Sequence, residues 1–294
     1  MSNFILGDLN TKFKVGSADC RVYLGDTCVY SGDTPTPHDY SQDYFTFRVI
    51  EDIDIQWSGA KLSYSTDGGT TWSEPSTDIS LSAVTSGSTV MFKGGIEGSP
   101  IGKFTTSSAG KFEVEGNIMS LLYGDNFVGQ TELPIEDTFA SMFTLGKTIK
   151  TYNLISAENL VLPATTLNGD CYRAMFQGCA ALVTPPKILP ATTLTSSNYG
   201  CYNSMFNGCT SLTVAPELPA TTLAYGCYSS MFRGCTSLSA ITCLATDISA
   251  SNCTGNWVQG VAASGTFTKA ASMTSWTSGA SGIPSGWTVV DYSG

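Results

Sequence analysis

One nine-residue pattern occurs three times in this chain and limits what it can fold into. Cys171-Tyr172-x-x-Met175-Phe176-x-Gly178-Cys179 returns as Cys201-Tyr202-x-x-Met205-Phe206-x-Gly208-Cys209, then as Cys227-Tyr228-x-x-Met231-Phe232-x-Gly234-Cys235. The hexapeptide Leu-Pro-Ala-Thr-Thr-Leu accompanies each copy, beginning at Leu162, Leu189 and Leu218. Copies spaced by 26 to 30 residues are the signature of a solenoid, whose units bury their apolar faces only against their neighbours. Such folds usually present surfaces rather than perform chemistry, so the functional question becomes one of partners.

The apolar letters of the pattern stand at positions 1, 2, 5, 6 and 9, which predicts one face of a short helix. Glycine at position 8 would end that helix or admit a neighbouring backbone. Leu182, Leu212 and Leu238 would anchor the exit, and the hexapeptide would supply an extended segment with its leucines inward. In a helix the two cysteines of one copy lie about 12 Å apart, beyond the about 7 Å that a disulfide spans. The preferred arrangement is therefore a ladder of small buried groups formed by Cys171, Cys179, Cys201, Cys209, Cys227, Cys235 and Cys253. Bridges or a metal are the lesser alternative. Zinc is disfavoured because no Cys-x-x-Cys pair exists and His38 is the only histidine. No cofactor is expected.

Partial copies flank the three full ones. Phe139-Ala140-Ser141-Met142-Phe143 aligns with Tyr172 to Phe176, and Ile149 aligns with Leu182; both cysteines are missing from this copy. Cys243 to Ile248 echoes the hexapeptide, and Cys253, Trp257 and Val258 echo Cys-Tyr, Met and Phe. A tail with Trp276, Pro284, Trp287 and Val289-Val290 is expected to seal the end. Residues 119–294 are thus read as the solenoid with its C-terminal cap.

The remainder reads as β structure. Over residues 1–41, Lys14-Val15-Gly16, Cys20 to Leu24 and Thr27 to Tyr30 are short strand-like runs. Gly25-Asp26 forms a hairpin turn, and the two prolines of Asp33 to His38 form a linker. Over residues 42–118, Tyr44–Ile50, Ile53–Trp57, Lys61–Ser65, Thr89–Lys93 and Gly110–Glu115 alternate as strands separated by turns, which predicts an Ig-like β-sandwich.

Charged residues make up only 13% of the 294, and the net charge is −10. Ser, Thr, Asn and Gly must cover much of the surface. The acidic balance and the lack of any Lys/Arg cluster argue against nucleic acid. No apolar run approaches membrane-spanning length, and no signal-peptide pattern opens the sequence. A soluble protein is expected, one that leaves a cell by a route such as lysis.

The repeats resemble leucine-rich repeats of the BspA type, in which "MFxGCxSL" follows a Cys-Tyr pair. Met205 to Leu212 and Met231 to Leu238 match it closely, Cys179-Ala180-Ala181-Leu182 less so, and the likeness covers about residues 136–290. It implies an adhesin-like solenoid of the kind found in gut Bacteroidetes and in their phages. The run from Lys14 to Gly32 is similar to short "vYLGdt-VysG" hairpins of phage tail and virion proteins. Together with the missing signal peptide, it points to a crAss-like phage of Bacteroides.

Candidate sites divide by chemistry. Ser65, Asp67, Gly69 and Trp72 fit the Asp-box of glycan-active β proteins, where the aspartate secures a turn and is not catalytic. Glycoside hydrolysis needs paired carboxylates, and Glu51-Asp52 and Glu136-Asp137 read instead as solvated turn acids. His38 has no second histidine to build a triad with. The better binding candidates are the variable letters of the repeat: Arg173, Asn203 and Ser229 at position 3, and Gln177, Asn207 and Arg233 at position 7. The expected protein is a mainly β, non-enzymatic virion component. Residues 1–41 would attach it to other virion proteins, as a homo-oligomer, and the solenoid would contact host-surface polysaccharide or protein. The alternatives are a bacterial cell-surface adhesin and, lower, a glycan-active enzyme.

Overall fold

The fold is described from a computed structural model over residues 21–24, 27–31, 38–94, 102–106, 110–143 and 153–293. It divides into two compact units, Met1–Asp39 and Tyr40–Gly294. In the first, β1 (Arg21–Leu24) pairs antiparallel with β2 (Thr27–Ser31), with an irregularity between Val22 and Tyr23. Leu24 faces Thr27, which fits the hairpin expected from the sequence. Its turn Gly25-Asp26, the Lys14-Val15-Gly16 run and the prolines of the linker lie outside the described residues.

The second unit is mainly β and begins with one hydrogen-bonded sheet. Its strands are β3 (Phe45–Val49), β4 (Ile53–Ser65), β5 (Ser76–Val84), β6 (Thr89–Gly94), β7 (Gly102–Thr106) and β8 (Phe112–Asn117). β4 joins what the sequence suggested were two strands. Its first half pairs with β5 and β7, and its second half with β6, with the register shifting between Ser58 and Leu62. The bend brings Phe45, Phe47, Phe92 and Phe104 together, and Phe47 and Phe104 lie 4.9 Å apart between ring centroids.

The expected boundary at 118/119 is absent. Beyond an α-helical turn at Ser120–Tyr123, β9 (Leu154–Ser156) and β10 (Leu160–Val161) pair parallel with β8 and extend the same sheet up to the hexapeptide of the first full copy. Phe143 of the partial copy stacks on Phe104 at 6.1 Å and on Phe176 at 5.5 Å, so one apolar core crosses the seam.

The Cys-to-Cys segments are not helices. Each is a run of tight turns with a left-handed φ at positions 4 and 8 of every copy: Ala174 (52°) and Gly178 (80°), Ser204 (55°) and Gly208 (79°), Ser230 (54°) and Gly234 (75°), with Tyr172 (61°) a further one in the first copy. Amides therefore alternate in direction. Arg173, Met175, Gln177 and Cys179 donate to carbonyls three residues back, while Ala174, Phe176 and Gly178 donate to Asn203, Met205 and Asn207 of the next copy. Ser204, Phe206 and Gly208 repeat this toward Ser229, Met231 and Arg233. A helix would close all these bonds within one copy. Stacking leaves half of them to the neighbour, and at positions 4 and 8 small residues or glycine occupy the left-handed sites, where a Cβ is costly.

The alternation turns the apolar letters inward in columns. Tyr172 and Tyr202 stack at 5.9 Å and 3°, and Phe176 and Phe206 at 5.3 Å and 9°. Trp257 ends both columns, lying 6.2 Å from Tyr228 and 6.1 Å from Phe232. Beyond it β11 (Ala240–Cys243), β12 (Thr266–Lys269) and β13 (Thr288–Asp291) form a parallel three-stranded sheet, and Trp276 stacks on Trp257 at 5.7 Å. No helix among the described residues is long and apolar enough to cross a membrane.

Candidate binding surface

The two variable positions separate in space. Position 3 is largely consumed by the stack. Ser229 is buried and donates its hydroxyl to the Gly255 carbonyl at 3.3 Å, while the Asn203 amide reaches the Gly226 carbonyl at 3.4 Å. The expectation that Ser229 faces a ligand is therefore corrected: at this register the side chain points along the stack, where it satisfies the next copy's backbone. Arg173 is exposed but bridges Asp137 at 3.1 Å and Asp170 at 3.2 Å. Burial pushes the Asp170 carboxyl up, against the pull of Arg173, with Asp137 and Glu136 adding to the rise.

Position 7 stays at the surface. Gln177 and Asn207 are half-buried and Arg233 is exposed. The Gly178 amide donates to the Asn207 carbonyl and the Gly208 amide to that of Arg233, which holds these residues on adjacent rungs. The row continues to exposed Gln259, which receives the Gly234 amide. Sequence reasoning missed Gln259; the signal was Gly260, which repeats the position-8 glycine and its left-handed φ of 79°. A glycine column runs beside the row, where a Cβ on Gly208 would meet the Gly178 Cα at 3.8 Å.

The cysteines sit inside. Cys171, Cys179, Cys201, Cys209, Cys227, Cys235, Cys243 and Cys253 are all buried and unbridged. Cys209 and Cys235 donate their thiols to the Phe176 and Phe206 carbonyls, at 3.1 and 3.0 Å, which ties each rung to the one before. Desolvation pushes the thiols of Cys227, Cys235 and Cys243 up to about 12, so little nucleophilic thiolate forms near neutral pH. Among the described residues no group of three His, Cys, Asp or Glu could hold a metal.

The Asp-box residues form a clamp. Asp67 accepts the Thr71 amide at 2.9 Å, its hydroxyl at 2.7 Å and the Ser65 hydroxyl at 2.7 Å, and these bonds pull its carboxyl down to about 2. The indole of Trp72 donates to the Gly69 carbonyl at 3.1 Å. Its ring takes the Lys93 ammonium at 4.3 Å and meets Tyr44 edge-on at 4.9 Å. Asp125 closes the group, 2.7 Å from both Lys93 and the Tyr44 hydroxyl. All of these groups serve one another, which suits a structural role.

The acid pairs are likewise engaged. Glu51 pairs with Lys111 at 2.6 Å, Asp52 accepts the Ser86 amide at 2.8 Å, and Asp137 pairs with Arg173 at 3.1 Å. His38 is exposed at the start of the described stretch 38–94. Comparison with protein families, curated proteins and solved structures finds no match.

Proposed function

We propose that this chain is a non-enzymatic virion structural protein whose stacked copies form a BspA-like leucine-rich-repeat solenoid for adhesion to the host surface. One observation carries the adhesive part. The interior letters are the same on each full rung, while the outward position 7 changes from Gln177 to Asn207 to Arg233 along one row. A surface that varies over a constant frame is what recognition needs and folding does not. The low charge content and net charge of −10 suit an uncharged envelope component better than a polyanion. Attachment to the particle through residues 1–41 rests on the hairpin resemblance.

The test has two arms. Mass spectrometry of purified particles should find the protein as a virion component; its absence would sink the virion assignment. Purified protein should bind host cells, and the triple variant Gln177→Ala, Asn207→Ala, Arg233→Ala should weaken that binding about ten- to a hundred-fold. Unchanged binding by a folded triple variant would remove the row from the proposal.

A further inference from the structure

A second surface lies on the sheet, away from the repeat row. β4 runs between β5 and β7 over Gln56 to Ser58. The register places Ser80, Gln56 and Thr105 in one line across the three strands, and Asp78, Ser58 and Lys103 in the next. Alternation along each strand puts these six side chains on the same face. Gln56, Ser58, Asp78, Ser80 and Lys103 are exposed, and the Thr105 hydroxyl donates to Gln56 Oε1 at 3.3 Å. This face is the floor of a cleft of ≈ 670 Å³, bounded by Ala140 of the partial copy. The Phe104 amide donates to the Met142 carbonyl at 3.0 Å, so the wall is fixed to the floor.

The chemistry of the floor is specific. An amide and three hydroxyls supply both donors and acceptors. Asp78 and Lys103 are opposite in sign and stand two strand spacings apart, about 10 Å, with Ser58 between them. Their charges cancel over the site, so it favours no net charge in its occupant. Trp57 and Ile79 between them alternate to the opposite face and are buried, so the accessible side chains of the floor are polar. Hydrogen-bonding side chains of both kinds with cancelling charges match the hydroxyls of a neutral sugar. The volume falls within the ordinary range of small-ligand sites.

We infer that this cleft binds a short, uncharged oligosaccharide. The site shares no residue with the position-7 row, so either can fail while the other stands. Saturation-transfer NMR on the full chain can test it with cellotriose, mannotriose and chitotriose, and with a tri-galacturonate as the charged control. The expected result is transfer to at least one neutral trisaccharide. Ser58→Tyr, which fills the cleft, should abolish it, and Gln56→Ala should weaken it about tenfold. Both substitutions are on an exposed strand face, and an unchanged melting temperature would show the fold intact. The Gln177→Ala, Asn207→Ala, Arg233→Ala variant should keep the transfer even where it loses host cells. No transfer to any neutral probe, a preference for the uronate, or transfer that survives Ser58→Tyr would overturn the assignment.

Discussion

Tyr172 and Tyr202 bury their hydroxyls with no hydrogen-bond partner among the described residues. The rings contribute stacking and apolar area, while each orphaned oxygen is a cost. Tyr202→Phe is therefore expected to leave stability unchanged or raise it by about 1 kcal/mol, whereas Tyr202→Ala should cost about 3–5 kcal/mol through the cavity it opens. Urea midpoints of the two variants would separate these cases; a clearly destabilised Phe variant would mean that the hydroxyl has a partner after all. The thiols make a second residue-scale test. Eight of the ten cysteines are buried, so at pH 8 no more than two per chain should react with a thiol reagent before denaturant is added. Asp67 gives a third. Its carboxyl is depressed to about 2, so its contribution to the clamp is full above the unfolded value of about 4 and disappears as pH falls through about 2. Trp72 fluorescence in Asp67→Asn should already at pH 7 resemble the acid form of the parent; an acid transition that persists in the variant would assign it elsewhere.

The element that defied its sequence pattern is the Cys-to-Cys turn run. Spacing of apolar residues at 1, 2, 5, 6 and 9 fits a helical face, and the buried set was legible from it: Cys171, Tyr172, Met175, Phe176 and Cys179 are all inside. The path of the backbone was not, because the same inward set arises when turns alternate in hand. The clue lay at position 4, where Ala174, Ser204 and Ser230 are all small and all left-handed. Ser204→Val should cost about 1–3 kcal/mol, since a β-branched residue is strained at its φ of 55°; on a helix the same change would cost only a few tenths. Thermal melts would decide between the two. The strand pairs of the sheet were partly legible. β3, β6 and β8 alternate clearly, but β5, with only Ile79 fully buried on its Ser76–Val84 run, offers little periodicity. Gln177, Asn207 and Arg233 at position 7 reach the surface, while Ser229 at position 3 does not, because only neighbouring-copy carbonyls reveal what position 3 touches.

At the scale of the molecule, the sheet and the stack share strands β8, β9 and β10 and a common aromatic core through Phe104 and Phe143. Residues 40–294 should unfold in one transition, with tryptophan fluorescence and far-ultraviolet dichroism tracing the same curve; two separated transitions would show that the seam is weaker than its packing implies. The sequence suggested a boundary here because the strand-like alternation ends near residue 118 and the repeat register begins near 136, and neither pattern reports pairing across a junction. The stack also has a mechanical character. Bonds such as Phe176 to Met205 and Phe206 to Met231 join one rung to the next, so they lie in series along the axis. Tension applied between the sheet and the far end would load these bonds end-on and detach rungs one after another. Each rung of 26 to 30 residues would then release about 90–105 Å of chain, a ratcheting extension suited to a tether under drag.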